Sequence, residues 1–474
     1  MELSKLKHIH FTGIKGVGMT ALALCINDLG IRTTGSDVDE EFVTDEVLEK
    51  HNIKWNKGFG EKNLFPKPDL VIYTAAHGGV LNPEVQKAIE LGIPTISYAE
   101  FLAEIANKKD VIGICGVGGK TTTTSMITVL LYEAGLNPSF AVGVGDIFPI
   151  NKSGSYDKKS KYFICEADEY AVSPGVDNRA KFLLLDPKIL VVTNIEYDHP
   201  DIYRSEVETL KTFRKLFEKL PHDGLLVASI DNPKVSKVIK DLDKNILTYG
   251  INKDADYQIK DIRYTAGESV FSIYSKNENK GFEDIKIKLP GEFNILNATA
   301  AFIVGLHLNI HVSDLKKGLA AYRGCRRRFE KMGKFGGAIF YDDYAHHPSE
   351  IKATLKAVRD WYPGKRVVAI FQPHTYTRTK ALLKDFSSAF GEADMVGIMD
   401  IYLSARESKD ETISAKILAD MIRGKQKDTY YLGNQKETVN WINDNVKEGD
   451  IVLTMGAGDI FHLYKQLALK GLAL

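Results

Sequence analysis

Short apolar runs of strand length alternate with stretches of helical periodicity along most of the chain. That alternation predicts an α/β architecture with largely parallel sheets. KHIHFTGI (7–14) reads as a strand, with a helix from about Gly18 to Leu29 behind it, and PDLVIYTAA (68–76) reads as a second strand. NPEVQKAIELG (82–92) carries an Asn at the cap, a Pro at the first helical position and a Gly at the stop, which predicts a helix with defined ends. A second unit opens with DVIGICGVGGK, a strand running into glycines, after the charged stretch NKKD (107–110). KILVVTNI (188–195) and DGLLVASI (223–230) add buried strands to it, and polar–apolar alternation over 255–290 predicts a small antiparallel addition. A third unit starts near Arg323 with GAIFYDDYAHHP (337–348), RVVAIFQPH (366–374), MVGIMDIY (395–402) and DIVLTMGAG (450–458). Each run ends in polar residues or glycine, and ligands of open α/β sheets gather outside the carboxyl ends of the strands.

Composition narrows the class. The 474 residues accommodate about three domains at ~150 residues each, with expected limits 1–108, 109–322 and 323–474. Lys plus Arg equals Asp plus Glu at 62 each, so the basic excess of a dedicated nucleic-acid binder is missing. A local basic pocket for an anionic metabolite is still possible. Cys25, Cys115, Cys165 and Cys325 are widely spaced, with no CxxC and no metal-ligand spacing, which predicts reduced, mostly buried thiols. MELSKLKHIHFTGI has no apolar signal core, and no run approaches the ~18–20 apolar residues that span a bilayer. The expectation is a cytoplasmic protein with no membrane and no nucleic-acid partner.

Two glycine loops carry candidate chemistry. GICGVGGKTTTT (113–124) departs from the strict G-x-x-x-x-G-K-[ST] pattern, because Ile114 stands where the first Gly is required. Gly116, Gly118 and Gly119 still allow backbone N–H groups to face phosphate oxygens at a helix N-terminus. Lys120 can reach the β- and γ-phosphates, and Thr121 or Thr122 can place a hydroxyl on Mg²⁺. The plainer alternative is a strand–helix turn without a ligand. GIKGVGMTALA contains Gly16-x-Gly18-x-x-Ala21, the dinucleotide pattern in its alanine form, with Asp37 about twenty residues on. That loop can hold NAD, another pyrophosphate such as a UDP-sugar, or only a tight turn. FICEADEY (163–170) ends in Glu166, Asp168 and Glu169, placed as acidic strand tips beside a phosphate loop are for Mg²⁺, or as a solvated acidic turn. VVTNIEYDHPDIY (191–203) adds Asn194, Glu196, Asp198, His199 and Asp201. His199 is either a loop histidine or, with Glu166, a second metal ligand.

Taken in order, GxxGxGM, SD at 36–37, GKTTTTSM, EADE, VVTNIEYDH, GEFNILNATAA, RRRFE, DDYAHHPSEI, FQPHTYTRT, DIYLSARES and VLTMGAGDI resemble the Mur ligase family across nearly the whole chain. The late motifs are most similar to its alanine-adding branch. The resemblance implies three domains: an N-terminal Rossmann-like domain for the UDP part of UDP-N-acetylmuramate, a central P-loop domain for ATP, and a C-terminal Rossmann-like domain for the amino acid. It implies transfer of the ATP γ-phosphoryl to the lactyl carboxylate and attack of L-alanine on the acyl phosphate. It assigns the UDP-sugar to Gly13, Gly16, Val17, Gly18, Asp37 and Thr74, and ATP to Gly116, Gly118, Gly119, Lys120, Thr121 and Thr122. Thr121 and Glu166 take one Mg²⁺ and His199 the second. Asn294 and Asn297 meet the adenine, although Asn294 could instead cap a helix. Arg328 and Asp343 contact the nucleotide, Asp343 at the ribose. His347, His374 and Arg378 line the acyl-phosphate and amino-acid side, with the Arg378 fork on the L-alanine carboxylate. No single domain carries the full set, so domain closure is expected, in a monomer or weak homodimer.

The chain departs from the branch in places. GVGGK replaces the usual GTHGK, so Gly118 stands for a His. EADEYA replaces EADESD, at Tyr170 and Ala171, and Thr375 replaces an Arg. EYA and YTAAHGG (73–79) resemble instead the branch that recycles murein tripeptide, which is the alternative substrate reading. Some relatives carry a carbamylated lysine near the position of Phe213, and none is expected here. An NAD-dependent dehydrogenase would leave the central loop and acidic strand tips unexplained. A non-catalytic nucleotide binder would leave the Lys120, Thr121, Glu166 and His199 set without purpose.

Overall fold

The computed structural model describes residues 2–199, 202–265, 267–403, 407 and 409–471. Asp201 and the Ser404, Ala405, Arg406 and Ser408 positions of DIYLSARES lie outside the described residues. The chain forms two compact units: Met1–Ile262 with Val270–Lys288 and Phe293–Arg323, and Arg263–Ser269 with Leu289–Glu292 and Gly324–Leu474.

Among the described residues the first unit holds two large sheets, beside a short antiparallel pair, Ala171–Ser173 with Asp177–Ala180. The smaller has five strands in the order Lys54–Lys57, Arg32–Asp37, His8–Thr12, Leu70–Tyr73 and Thr95–Ser97, all parallel. Its central strand, His8–Thr12, is buried throughout, as a strand covered on both faces must be. The helix Val17–Asp28 follows directly from the first glycine loop. Asn82 caps the helix Pro83–Glu90 through the Glu84 N–H, with Pro83 in the first turn, as its sequence predicts.

The larger sheet has ten strands, and its middle runs Leu225–Ser229, Pro187–Val192, Asp110–Cys115, Tyr162–Glu166 and Ser139–Ala141 in parallel. The central glycine loop therefore leaves the middle of the sheet, with the two acidic tips on the neighbouring strands. The alternating segment forms Tyr257–Thr265, Glu268–Ser275 and Lys280–Ile287. These strands extend the larger sheet through parallel pairing of Tyr249 with Tyr257. Phe213 packs edge-on to Phe182 at 5.3 Å in the apolar core.

The second unit is built on six strands, Glu330–Phe335, Ala338–Asp343, Ile451–Met455, Val367–Phe371, Met395–Met399 and Thr429–Gly433. Only the first pair is antiparallel. All four cysteines are buried, and none is joined in a disulfide. Among the described residues no helix is long and apolar enough to cross a membrane.

Candidate active site

The central glycine loop joins Asp110–Cys115 to the helix Lys120–Glu133. Gly119 sits at φ +83°, and a Cβ there would lie 2.7 Å from Asn297 Oδ1. Glycine is thus required both by backbone conformation and by the approach of Asn297. Asn194, from the strand tip next door, accepts from the Val117 and Gly118 N–H groups at 2.8 and 2.9 Å. The neighbouring Thr193 hydroxyl donates to the Gly118 carbonyl at 2.6 Å. Among the described residues no side chain caps the helix that begins at Lys120, so its first-turn amides suit an anion. Asn294 does not cap: it lies inside the helix Glu292–His307, 3.4 Å from the Asn297 amide.

Lys120 Nζ lies 2.8 and 3.1 Å from the two carboxylate oxygens of Glu169 and 2.5 Å from the Gly116 carbonyl. Burial works against its charge, but Glu169 and Asp168 outweigh it and hold the ammonium above the usual lysine range. Asp168 is half-buried, its side chain 35% exposed; burial opposes its charge, yet Lys181 at 2.8 Å, with Lys120, draws its pKa down to about 2. Glu169 is only 3% exposed, so its pair with Lys120 is withdrawn from solvent, whereas Asp168 in the same tip is half-buried. Thr121 Oγ1 donates to Glu166 Oε2 at 3.1 Å, and Glu166 Oε1 accepts from the Gly143 N–H at 2.8 Å. A hydroxyl and a carboxylate converging beside an uncapped helix end fit a Mg²⁺ that takes its remaining oxygens from phosphate and water. His199 is placed apart from that pair. Its Nε2 lies 3.8 Å from Glu169 and 3.6 Å from Asp198, with the Tyr170 ring 4.7 Å away. Among the described residues no group of three or more His, Cys, Asp and Glu forms a metal cage.

At the first loop, Gly13 has φ +85°, and a Cβ would lie 2.3 Å from Thr74 Cγ2, so Thr74 closes directly over the turn. Asp37 is 1% exposed and accepts from the Lys15 and Val38 N–H groups at 2.7 and 2.8 Å. Burial raises its pKa, against those hydrogen bonds and His77. Lys15, unremarked in the sequence, is buried and rests 4.3 Å from the Trp55 ring, with its ammonium 3.1 Å from Asp45. Gly16 is the N-cap of the helix whose first turn holds Val17 and Gly18.

In the second unit, Asp343 accepts from the Phe329 and Ala345 N–H groups, both at 2.8 Å. Burial pushes its pKa up to about 6, and the Arg328 charge opposes the rise. Arg328 lies over the Tyr344 ring at 5.0 Å. Its neighbour Arg327 is the structural one, locked to Asp342 at 3.0 Å and to the Gly456 and Gly458 carbonyls. His347 caps the helix Pro348–Trp361 through Nδ1, so any proton it exchanges must pass through Nε2. His374 stacks on Tyr402 at 5.4 Å, and its Nδ1 lies 3.3 Å from Arg378. Thr375 has φ +70°, a strained conformation for a β-branched residue. The sequence marked Asn194 and Glu169 as members of the two strand tips but did not show that Asn194 holds the Val117 and Gly118 amides or that Glu169 pairs with Lys120. Their only signal was position at strand tips beside the loop.

Comparison with known proteins gives a consistent picture. Residues 8–110 match the Mur ligase family catalytic domain, 114–305 the Mur ligase middle domain, and 327–458 the Mur ligase glutamate ligase domain. The UDP-N-acetylmuramate–L-alanine ligase of Caldanaerobacter subterraneus subsp. tengcongensis is 42% identical over 98% of this chain and 97% of its own length. Among solved structures, the UDP-N-acetylmuramate–alanine ligase of Thermotoga maritima superposes with a TM-score of 0.81 at 26% identity, covering 98% of this chain and 99% of that one. A murein peptide ligase of Psychrobacter arcticus, at 23% identity, has a TM-score of 0.69 over 99% and 100% of the two chains and shares the fold.

Proposed function

This chain belongs to the Mur ligase family, and we propose that it is an ATP-dependent ligase joining L-alanine to the lactyl carboxylate of UDP-N-acetylmuramate. The observation that carries the reading is the central loop. Lys120, the uncapped helix start and the Thr121–Glu166 pair form a phosphoryl-transfer site, in a chain 42% identical end to end to an L-alanine ligase. The lactyl carboxylate attacks the γ-phosphorus of ATP and ADP leaves, giving an acyl phosphate. The L-alanine amine then attacks the acyl carbon, loses a proton, and phosphate departs from the tetrahedral intermediate.

Lys120 stabilises the charge that develops on the transferring phosphoryl, the kind of term that dominates such catalysis. Mg²⁺ on Thr121 and Glu166, with a second ion on His199, would neutralise the same oxygens. We assign Gly13, Gly16, Val17, Gly18, Asp37 and Thr74 to the sugar nucleotide and Gly116, Gly118, Gly119, Thr122, Asn294, Asn297, Arg328 and Asp343 to ATP. His347, His374 and Arg378 are assigned to the acyl-phosphate and amino-acid side. We place the domain limits at 108/109 and 322/323, and the enzyme in the cytoplasm as a monomer or weak homodimer.

The test is phosphate release from Mg-ATP and UDP-N-acetylmuramate with L-alanine, with murein tripeptide, and with neither. Release that depends on L-alanine, with a UDP-linked amide of matching mass, is expected. Dependence on tripeptide would move the chain to the recycling branch and make Tyr170 and Thr375 the residues to study.

A further inference from the structure

Glu84 does no chemistry in this mechanism, yet its carboxylate, set against the smaller sheet, accepts five hydrogen bonds. It lies in the first turn of the helix Pro83–Glu90 and is 0% exposed. Its Oε1 accepts from His10 Nε2 at 3.0 Å, Thr12 Oγ1 at 2.7 Å and Ser36 Oγ at 2.5 Å. Its Oε2 accepts from the Gly60 N–H at 3.0 Å and Asn63 Nδ2 at 2.5 Å. Stability alone is a weak reason for this arrangement, since apolar groups of equal volume serve a core as well as a buried ion pair does. What distinguishes it is where the donors stand. Thr12 and Ser36 are paired near the ends of adjacent strands; Gly13, which opens the first loop, follows Thr12, and Asp37, the last residue of its strand, follows Ser36. The Ser36 carbonyl receives the Gly13 and Ile14 N–H groups at 2.9 and 3.2 Å, and Asp37 receives that of Lys15. The other oxygen reaches the same place by a second route. Asn63 also donates to the Gly58 carbonyl at 2.9 Å, and the Gly58 N–H donates to the Asp37 carbonyl at 2.7 Å.

We propose that Glu84 is a positioning residue for sugar-nucleotide binding: it clamps the ends of the His8–Thr12 and Arg32–Asp37 strands so that the loop between Gly13 and Gly18 is formed before substrate arrives. The inference rests on the assignment of that loop to UDP-N-acetylmuramate. Its carboxylate stays ionised because, although burial opposes the charge, hydrogen bonds from His10, Ser36 and Gly60 hold the pKa down to about 2. Gln at this position keeps the volume but turns an NH₂ toward groups that themselves donate.

The experiment is titration calorimetry of the full chain and its Glu84→Gln variant with UDP-N-acetylmuramate and, separately, with Mg-ATP, together with KM for each substrate. The expected result is sugar-nucleotide binding weakened about 10-fold or more, the scale for orphaning a buried donor, with ATP binding and kcat near wild type. Equal weakening for both ligands, or unchanged sugar-nucleotide binding, would overturn the proposal. Should Glu84→Gln fail to fold, Ser36→Ala deletes one hydroxyl of the clamp and must show the same split at smaller size. Absence of sugar-nucleotide binding by the wild type would instead remove the functional assignment beneath it.

Discussion

Replacing Lys120 by alanine perturbs two things that can be separated. The ammonium sits 2.8 Å from Glu169, whose side chain is 3% exposed beside Asp168. Removing it strands a buried carboxylate, and breaking such a pair from one side costs about 3–5 kcal/mol, less whatever Glu169 recovers by taking up a proton. It also removes a cation from the phosphoryl path, where loss of one strong charge-stabilising contact costs turnover about 10²- to 10³-fold, or ~2.7–4 kcal/mol of barrier. Lys120→Ala is therefore expected to melt several degrees early and to turn over at least about 10²-fold slower. The double variant Lys120→Ala/Glu169→Gln removes the stranded charge, so its melting midpoint should return most of the way while its turnover stays low. Thermal melts read the first effect, and phosphate release at saturating ATP, UDP-N-acetylmuramate and L-alanine reads the second. A folded Lys120→Ala protein with near-normal turnover, or a double variant that regains activity along with stability, would refute the assignment of Lys120 to phosphoryl transfer.

Further predictions bear on other parts of the site. Gly119→Ala puts a Cβ 2.7 Å from Asn297 Oδ1 at φ +83°; KM for ATP should rise about 10-fold, and an unchanged KM would show the loop is not the ATP cradle. Asp343 has its folded pKa pushed up to about 6, above an unfolded value of ~3.9, so the folded state holds the proton more tightly. Stability of the second unit should then rise as pH falls from about 7 through 6 toward 4. Asp343→Asn should flatten the melting profile across that window, and a profile as steep as wild type would contradict the reasoning. Arg378→Ala should raise KM for L-alanine about 10- to 100-fold, the range for a hydrogen bond to a charged group, and leave KM for ATP nearly unchanged. Equal losses for both substrates would contradict its role.

The sequence by itself determined the element order and the ends of the site-bearing strands. Buried parallel strands are continuous apolar runs, and the residues closing them mark the loops without further information. Asp110–Cys115, Ala338–Asp343 and Ile451–Met455 are visible this way. The polar edge strand Lys54–Lys57, mostly exposed, was invisible because an edge needs no apolar code. Lys120 and Glu166 were legible because their spacing to a strand end is local. The partnership of Lys120 with Glu169 was not, nor was the use of Asn194 to hold the Val117 and Gly118 amides. Each depends on which strands lie side by side, and Asp110–Cys115 takes its neighbours Tyr162–Glu166 and Pro187–Val192 from far along the chain. Asn294 read as an adenine contact with helix capping as the alternative, until the helix start at Glu292 placed it inside. Glu84 in sequence is an ordinary first-turn helix acid. Only when the sheet brings Thr12 and Ser36 together does its carboxylate meet both, because hydrogen bonds are decided by distances of about 3 Å that no one-dimensional pattern encodes.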